Sequence, residues 1–276
     1  RRPPRCTLFP YTTLFRSFMA IGAYSSAILV DQVGLPFGLS LIISPIIAGL
    51  FGFIIGFPAL RISGMYLGLT TMGFGFIIRR LIIARREWNQ GYGGMVVSSP
   101  ELFGFTIKGD WANYFLVWTF AVLTIVASRR MMKSKIGRAF MAIRDSEQAA
   151  QASGINIAQY KMMSFFISGV FAGLAGVLMA HTNHFISTDH FDNMLSIYFI
   201  IMVLVGGIGS IYGAVLGTIF IVLLENLIVP IIEKGLHEMF QVKAGDIESL
   251  IFGLIMFLFI IFQPTGLYGI DRKSVV

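Results

Sequence analysis

Cysteine is almost absent. Cys6 is the one thiol in 276 residues, and a lone cysteine forms neither an internal disulfide nor a Cys-based metal site. Charge is scarce as well. Asp, Glu, Lys and Arg together make up 13% of the chain, against about 25% in soluble domains, so much of the solvated surface that a soluble enzyme needs is missing. No Walker A pattern GxxxxGK[ST] occurs, which excludes a P-loop ATPase on this chain. The apolar runs hold no paired carboxylates and no His box. That argues against an intramembrane hydrolase or metal oxidase, and weakly against a proton-coupled carrier.

What is present is apolar length. Hydrophobic residues account for 56% of the sequence, with 30 Gly and 26 Phe. A bilayer-spanning helix needs about 20 apolar residues. Candidates are Phe18–Val30, Leu39–Leu60, Met65–Ala84, Trp111–Ala127, Met162–Thr182, Leu195–Val205, Ile211–Ile232 and Ser249–Phe262. The expected fold is therefore all-α, a polytopic membrane helix bundle of about eight transmembrane or partial segments. The Leu195 run is short and meets Gly206-Gly207-Ile208-Gly209, which suits either a tilted helix ending in a turn or a re-entrant segment. That glycine run has no following Lys-Ser/Thr, so it is not a phosphate loop. It reads as a membrane hinge or turn. Gly52/Gly56, Gly169/Gly173 and Gly209/Gly213/Gly217 repeat at four-residue spacing, the pattern that lets helix backbones approach closely in lipid.

The two ends differ from the rest. Residues 1–17, RRPPRCTLFPYTTLFRS, lack the apolar stretch and cleavage site of a signal peptide, and they resemble a translated adapter sequence. Residues 271–276, DRKSVV, resemble the same kind of scar. Both are expected to be non-native, leaving 18–270 as the transmembrane domain, with its first one or two helices expected to be missing. The formal charge of +7 suggests a nucleic-acid partner only until it is located. Without the ends, 15 basic and 13 acidic residues remain, and Ser128–Lys161 alone holds seven basic and two acidic. No basic face is left for nucleic acid.

By the bias of Lys and Arg toward the inner face, Ser128–Lys161 is expected in the cytoplasm, and the loops Asn183–Met194 and Glu233–Glu248 outside. Arg79, Arg80, Arg85 and Arg86 then fall at the outer end of their helix, against the rule. They either snorkel to head groups or mark a segment that does not cross simply. His181, His184 and His190 with Asp189 and Asp192 cluster near the outer loop, but their spacing fits no metal-binding helix face. Glu225 is the acidic residue within an apolar run and is a candidate by that fact alone, although it lies near a helix end beside Asn226.

The informative stretch is SKIGRAFMAIRDSEQAAQASGINIAQYK, residues 134–161, too polar to span. Asp145 with Gln148 has capping-box spacing, SEQAAQAS is rich in helix formers, and Gly154 is placed to end the helix. A short cytoplasmic helix follows, narrow at Ala149, Ala150 and Ala152. From composition alone it reads equally well as a solvated loop that only fixes topology.

GRAFMAIRDSEQAAQASGIN resembles the EAA-type coupling loop of ABC-transporter permeases, with Glu147, Ala149, Ala150 and Gly154 at matching spacing. IGAYSSAIL, PALRISGMYLGLTTMGFGFIIR, QGYGG, SGVFAGLAGVLMA, LVGGIGSIYGAVLGTIFIVLLENL and FQPTGLYG are similar, in order, to the branched-chain amino-acid permeases of LivM type. The chain departs from them at Gly75-Phe76-Ile77 and at Met65, where acidic or polar residues are common. The resemblance implies the permease subunit of an importer in the bacterial inner membrane, not itself an enzyme and without cofactor or metal. Its substrates would be leucine, isoleucine or valine delivered by a periplasmic binding protein. Its partners would be a LivH-like second permease, two cytoplasmic ABC ATPases and membrane lipid. It also implies ATPase-coupling roles for Gly137, Arg138, Arg144, Glu147, Ala149, Ala150 and Gly154, with Gly206, Gly207, Gly209, Gly213 and Gly217 as hinge or packing positions. The alternatives are a permease for a ribose-type sugar and a stand-alone secondary transporter.

Overall fold

The computed structural model describes residues 9–60, 65–84, 93–102, 105–106, 109–207, 209–228 and 230. Several expectations lie outside them: the span Ser249–Phe262, the loop Glu233–Glu248, the FQPTGLYG stretch, residues 271–276, Cys6, Arg85 and Arg86, and residues 89–92 of the QGYGG loop. The chain divides into two compact units at Ser196 and Ile197.

Unit 1 begins with α1 (Phe9–Ala27), which continues as a π-helical turn over Ile28–Gln32. Helix α1 runs without a break across the junction at residues 17 and 18, and Leu14, Arg16 and Ser17 are buried on it. Next come α2 (Phe37–Ala59), α3 (Met65–Ala84), α4 (Asp110–Lys133), α5 (Lys135–Asp145), α6 (Glu147–Ala152) and α7 (Ile157–Asn183). Short strands join the loops. β1 (Gly94–Val96) pairs antiparallel with β4 (Phe185–Ser187), with Met95 opposite Ile186, and β2 (Glu101–Leu102) pairs with β3 (Phe105–Thr106). Unit 2 takes in most of α8 (Asn193–Gly206), then α9 (Ile211–Leu223) and a π-helical turn at Leu224–Ile228.

Four helical stretches among the described residues are long and apolar enough to cross a bilayer: Leu14–Gln32, Phe37–Ala59, Asp110–Lys133 and Ile157–Asn183. The pair Met194–Gly206 and Ile211–Leu227, bent by 119°, makes a fifth when counted as one broken span. The chain is thus an all-α polytopic membrane bundle. Helix α3 has the bounds expected for it. Helices α4 and α7 extend past their apolar runs into the polar segment, to Lys133 and from Ile157. Lys and Arg are good helix formers, and a cation in a last turn complements the helix dipole. At the start of α7, Asn156 adopts extended backbone and its Oδ1 accepts from Gln159 N at 3.3 Å, capping the helix.

The core of unit 1 is α7 set against α1 and α2, and the seam is glycine. A Cβ added to Gly169 would lie 2.7 Å from Ala48 O and 2.9 Å from Gly49 Cα of α2. One added to Gly52 would lie 2.5 Å from Phe165 O. Gly22 and Gly176 place α1 and α7 in the same backbone-to-backbone contact. The four-residue spacings therefore serve packing within this chain, since lipid tails supply no hydrophobic force and close van der Waals approach holds such helices together. Helix α4 is the opposite case. Asn113 is its one buried residue, and Trp111, Tyr114, Phe115 and Trp118 are exposed in a chain of edge and tilted ring contacts at its first turns.

Gly169→Val should force α2 off α7 and lower stability by roughly 1–3 kcal/mol, the usual range for overpacking. Gly73→Ala, where an added Cβ meets nothing within 4 Å, should leave it unchanged or raise it by up to about 1 kcal/mol. Thermal denaturation of both variants in detergent checks the pair, and equal midpoints would reject the seam.

Candidate coupling site

The polar segment folds as two helices joined by a single residue. Ser134, in extended backbone, ends α4: its amide and its hydroxyl both donate to Met131 O, at 3.0 and 2.6 Å. Helix α5 then folds back so closely that any Cβ on Gly137 would overlap the Met132 backbone. Arg138 reaches back to donate from Nη1 to Lys133 O at 3.1 Å, covering a terminal carbonyl of α4. The buried face of α5 carries Gly137 and Ala139. Phe140 meets Tyr160 of α7 edge-on at 6.1 Å.

The cap of α6 differs from the expected one. Ser146, not Asp145, takes the extended conformation (φ −161°, ψ 115°), and its Oγ accepts from Ala149 N at 3.3 Å. Asp145 is still helical, as the last residue of α5, and pairs with its neighbour Arg144 at 3.6 Å. An N-cap must leave helical φ and ψ, and Asp145 cannot do so while it closes α5. Glu147, on the first turn of α6, pairs with Lys161 of α7 at 2.7 Å. Both side chains keep more than a third of their surface exposed, so the pair orients α6 more than it stabilises the fold. Within α6, Ala150 is buried to 2% while Ala149 is exposed. The two alanines therefore face opposite ways, and the free face belongs to Ala149.

Gly154 ends α6 with φ +80°, a conformation that costs an L-residue about 1–2 kcal/mol. An added Cβ would meet nothing, so backbone geometry and not space requires glycine here. The resulting turn lets Ile155 N donate to Ala150 O at 3.0 Å. A cleft of about 570 Å³ opens beside it, between Leu60, Glu147, Gln151, Asn156 and Lys161. The arrangement presents one short, doubly capped helix at the end of the bundle opposite β1 and β4.

The glycines of unit 2 separate into two roles. Gly207 (φ +108°) and Gly209 (φ +87°) make the turn between α8 and α9. Gly206, Gly213 and Gly217 bring the two helices together: a side chain at Gly206 would collide with Gly213 O, and one at Gly217 with Met202 O. Ser210 caps α9 by accepting from Gly213 N at 3.0 Å.

At the β1 and β4 end, sequence reasoning missed a buried polar chain. His181, grouped by sequence with the outer loop, is 1% exposed on α7. Its Nδ1 lies 3.0 Å from Ser98 O, which can only accept, so the proton is on Nδ1. In the neutral ring Nε2 then accepts from Ser26 Oγ at 2.8 Å, and Ser26 in turn contacts Ser40 at 2.6 Å. Ser98 also binds Asp31 through its hydroxyl and its amide. No group of three His, Cys, Asp or Glu among the described residues could hold a metal ion. Nearby, Arg79 pairs with Asp189 at 3.1 Å and Asp192 at 3.9 Å. This arginine, which sequence counting left against the rule, is thus held by the acidic loop. Glu225 falls in the π-helical turn after α9, half-buried.

Substitutions at two positions test these assignments. Gly154→Val should accelerate hydrogen exchange at the Ile155 amide, with Gly154→Asn, a residue that tolerates the left-handed region, closer to the parent. His181→Phe keeps an aromatic ring but strands Ser98 O and leaves Ser26 Oγ with Ser40 alone, and should cost roughly 1–3 kcal/mol of stability. An unchanged denaturation midpoint would show that the polar chain contributes nothing.

Comparisons with known proteins place the sequence in one family. The family described as branched-chain amino acid transport system / permease component matches residues 15–260. The high-affinity branched-chain amino acid transport system permease protein LivM of Escherichia coli (strain K12) is 32% identical over 94% of this chain and 64% of its own length. The probable branched-chain amino acid transport permease protein LivH of Methanocaldococcus jannaschii is 30% identical over 63% of this chain and 52% of its own. The autoinducer 2 import system permease protein LsrC of Yersinia pestis (strain Pestoides F) is 28% identical over 70% and 56%. The chain thus spans a little under two thirds of the length of the LivM relative. No solved structure matches. With most of its residues inside one family's bounds, the chain belongs to the permease components of branched-chain amino acid transport systems.

Proposed function

We infer that this chain is the transmembrane permease subunit of an ATP-binding-cassette importer in the bacterial inner membrane, translocating leucine, isoleucine or valine delivered by a periplasmic binding protein. The observation that carries this reading is α6, a short helix fixed at both ends and presented at one end of a family-matched bundle. A LivH-like second permease completes the pathway, and two cytoplasmic ATPases supply the hydrolysis that a chain without a P-loop lacks.

Each residue of the coupling set has a role in this reading. Gly137 and Arg138 fix the corner between α4 and α5. Arg144 and the exposed Ala149 meet the ATPase, and the buried Ala150 seats α6 on its own chain. The Glu147–Lys161 pair passes displacement of α6 to the first turn of α7, and Gly154 sets the turn between them. Closure of the ATPases on ATP biases a bundle with two packed arrangements. In unit 2, the Gly206–Gly217 contacts keep the α8–α9 hairpin together while the turn at Gly207 and Gly209 supplies the hinge.

The similarity to LsrC, named for autoinducer 2 import, over 70% of the chain favours a second reading in which the substrate is not a branched-chain amino acid, such as a ribose-type sugar. Ligand binding by the cognate periplasmic protein separates the two, and binding of a sugar instead of a branched-chain amino acid would overturn the first. For coupling, Glu147→Lys and Gly154→Asp should each reduce ATP-driven uptake tenfold or more in vesicles holding all partners, while insertion is retained. Normal uptake by both variants would remove α6 from the coupling path.

A further inference from the structure

Between Asp110 and Asp145 the chain has no carboxylate, and the middle of that stretch is where its cations gather. Arg129, Arg130 and Lys133 lie on the last turns of α4, and Lys135 and Arg138 on the first turn of α5. All five are exposed. Elsewhere in the polar segment cations lie beside acids, as in Arg144–Asp145 and Lys161–Glu147. Among the described residues, Arg130, Lys133, Lys135 and Arg138 pair with no carboxylate. The side-chain hydrogen bond in this group runs from Arg138 to the Lys133 carbonyl.

The fold holds this cluster at the lipid boundary. Helix α4 buries Asn113 alone, so along most of its length it faces bilayer. Its aromatic belt of Trp111, Tyr114 and Trp118 sits at one interface, and its basic turn therefore comes out at the other. Helix α5 returns tightly against that turn at Gly137, which adds Lys135 and Arg138 to the same corner. Phe140 of α5 is occupied by Tyr160, so α5 does not need to bury that ring in lipid and presents cations outward. The helix expected to meet an ATPase, α6, is a separate element beyond Ser146.

We propose that the α4–α5 corner is a binding site for the phosphate head group of an anionic phospholipid in the cytoplasmic leaflet. Lysines and arginines on a helix just inside the membrane are attracted to anionic lipid by about fivefold per cation. Guanidinium groups such as Arg130 add paired donors for phosphate oxygens. The site is independent of what the permease carries.

The test uses the purified full chain in detergent, incubated with phosphatidylglycerol or with phosphatidylcholine of identical acyl chains. Bound lipid is counted by native mass spectrometry. Phosphatidylglycerol should be retained at least about fivefold better, and R130Q/K133Q/K135Q should bring its retention down to about that of phosphatidylcholine, which is itself unaffected. Should the triple variant misfold, a salt titration of the parent chain decides: the preference for phosphatidylglycerol must shrink as salt screens the corner. Equal retention of both lipids, a salt-independent ratio, or a ratio preserved in a folded triple variant would overturn the site. So would loss of ATPase association in that variant with lipid retention intact, which would assign the corner to protein docking.

Discussion

Backbone-to-backbone contact along α7 is the constraint on which the rest of unit 1 depends. Gly169 meets the α2 backbone at Ala48 and Gly49, Gly173 meets Ala48 Cβ and the Pro45 backbone, and Gly176 meets the α1 backbone at Met19. In a membrane the apolar side chains gain little by leaving lipid for protein, so the many exposed Phe, Ile and Leu residues of α2 and α4 do not decide the packing. The glycines do, because they allow van der Waals contact at a distance that Ala would prevent. Once α7 is seated, its two ends carry the functional features. Lys161 and Tyr160 hold the polar segment at one end, and His181 and β4 hold the loops at the other.

The polar segment is stiffer than its composition suggests. Three helix boundaries in sequence are closed by local chemistry: Ser134 turns its hydroxyl onto α4, Ser146 caps α6 and Asn156 caps α7. Gly154 and the Glu147–Lys161 pair complete the path. A segment built this way moves as a body, which suits the transmission of a displacement better than a slack loop would.

Local features were legible in the sequence and distant pairings were not. The bounds of α3 and the end of α6 at Gly154 follow from hydrophobic length and from the need for a left-handed residue. The choice of Ser146 over Asp145 as cap is beyond local reading, since both are good cap residues and only the end of α5 decides between them. His181 contacts Ser26 across 155 positions and Ser98 across 83, and periodicity has no access to separations of that size. The same is true of Arg79, whose charge looked misplaced until the acidic residues Asp189 and Asp192 came beside it. Ala149 and Ala150 were alike as letters, and burial separates them.

Helix α4 remains a singular element. It is fastened at one end by the α5 corner, while the middle of the helix touches little, with a gap of about 490 Å³ between it and α7 lined by Phe120, Thr124, Phe171 and Leu178. It is a beam held at its α5 end and not along its length. Its midsection can therefore exchange one apolar residue for another with little penalty, and it can bow or tilt with the thickness of the surrounding bilayer without disturbing the glycine seam. A change in bilayer thickness therefore bears on the corner where α5 begins, one helix ahead of α6.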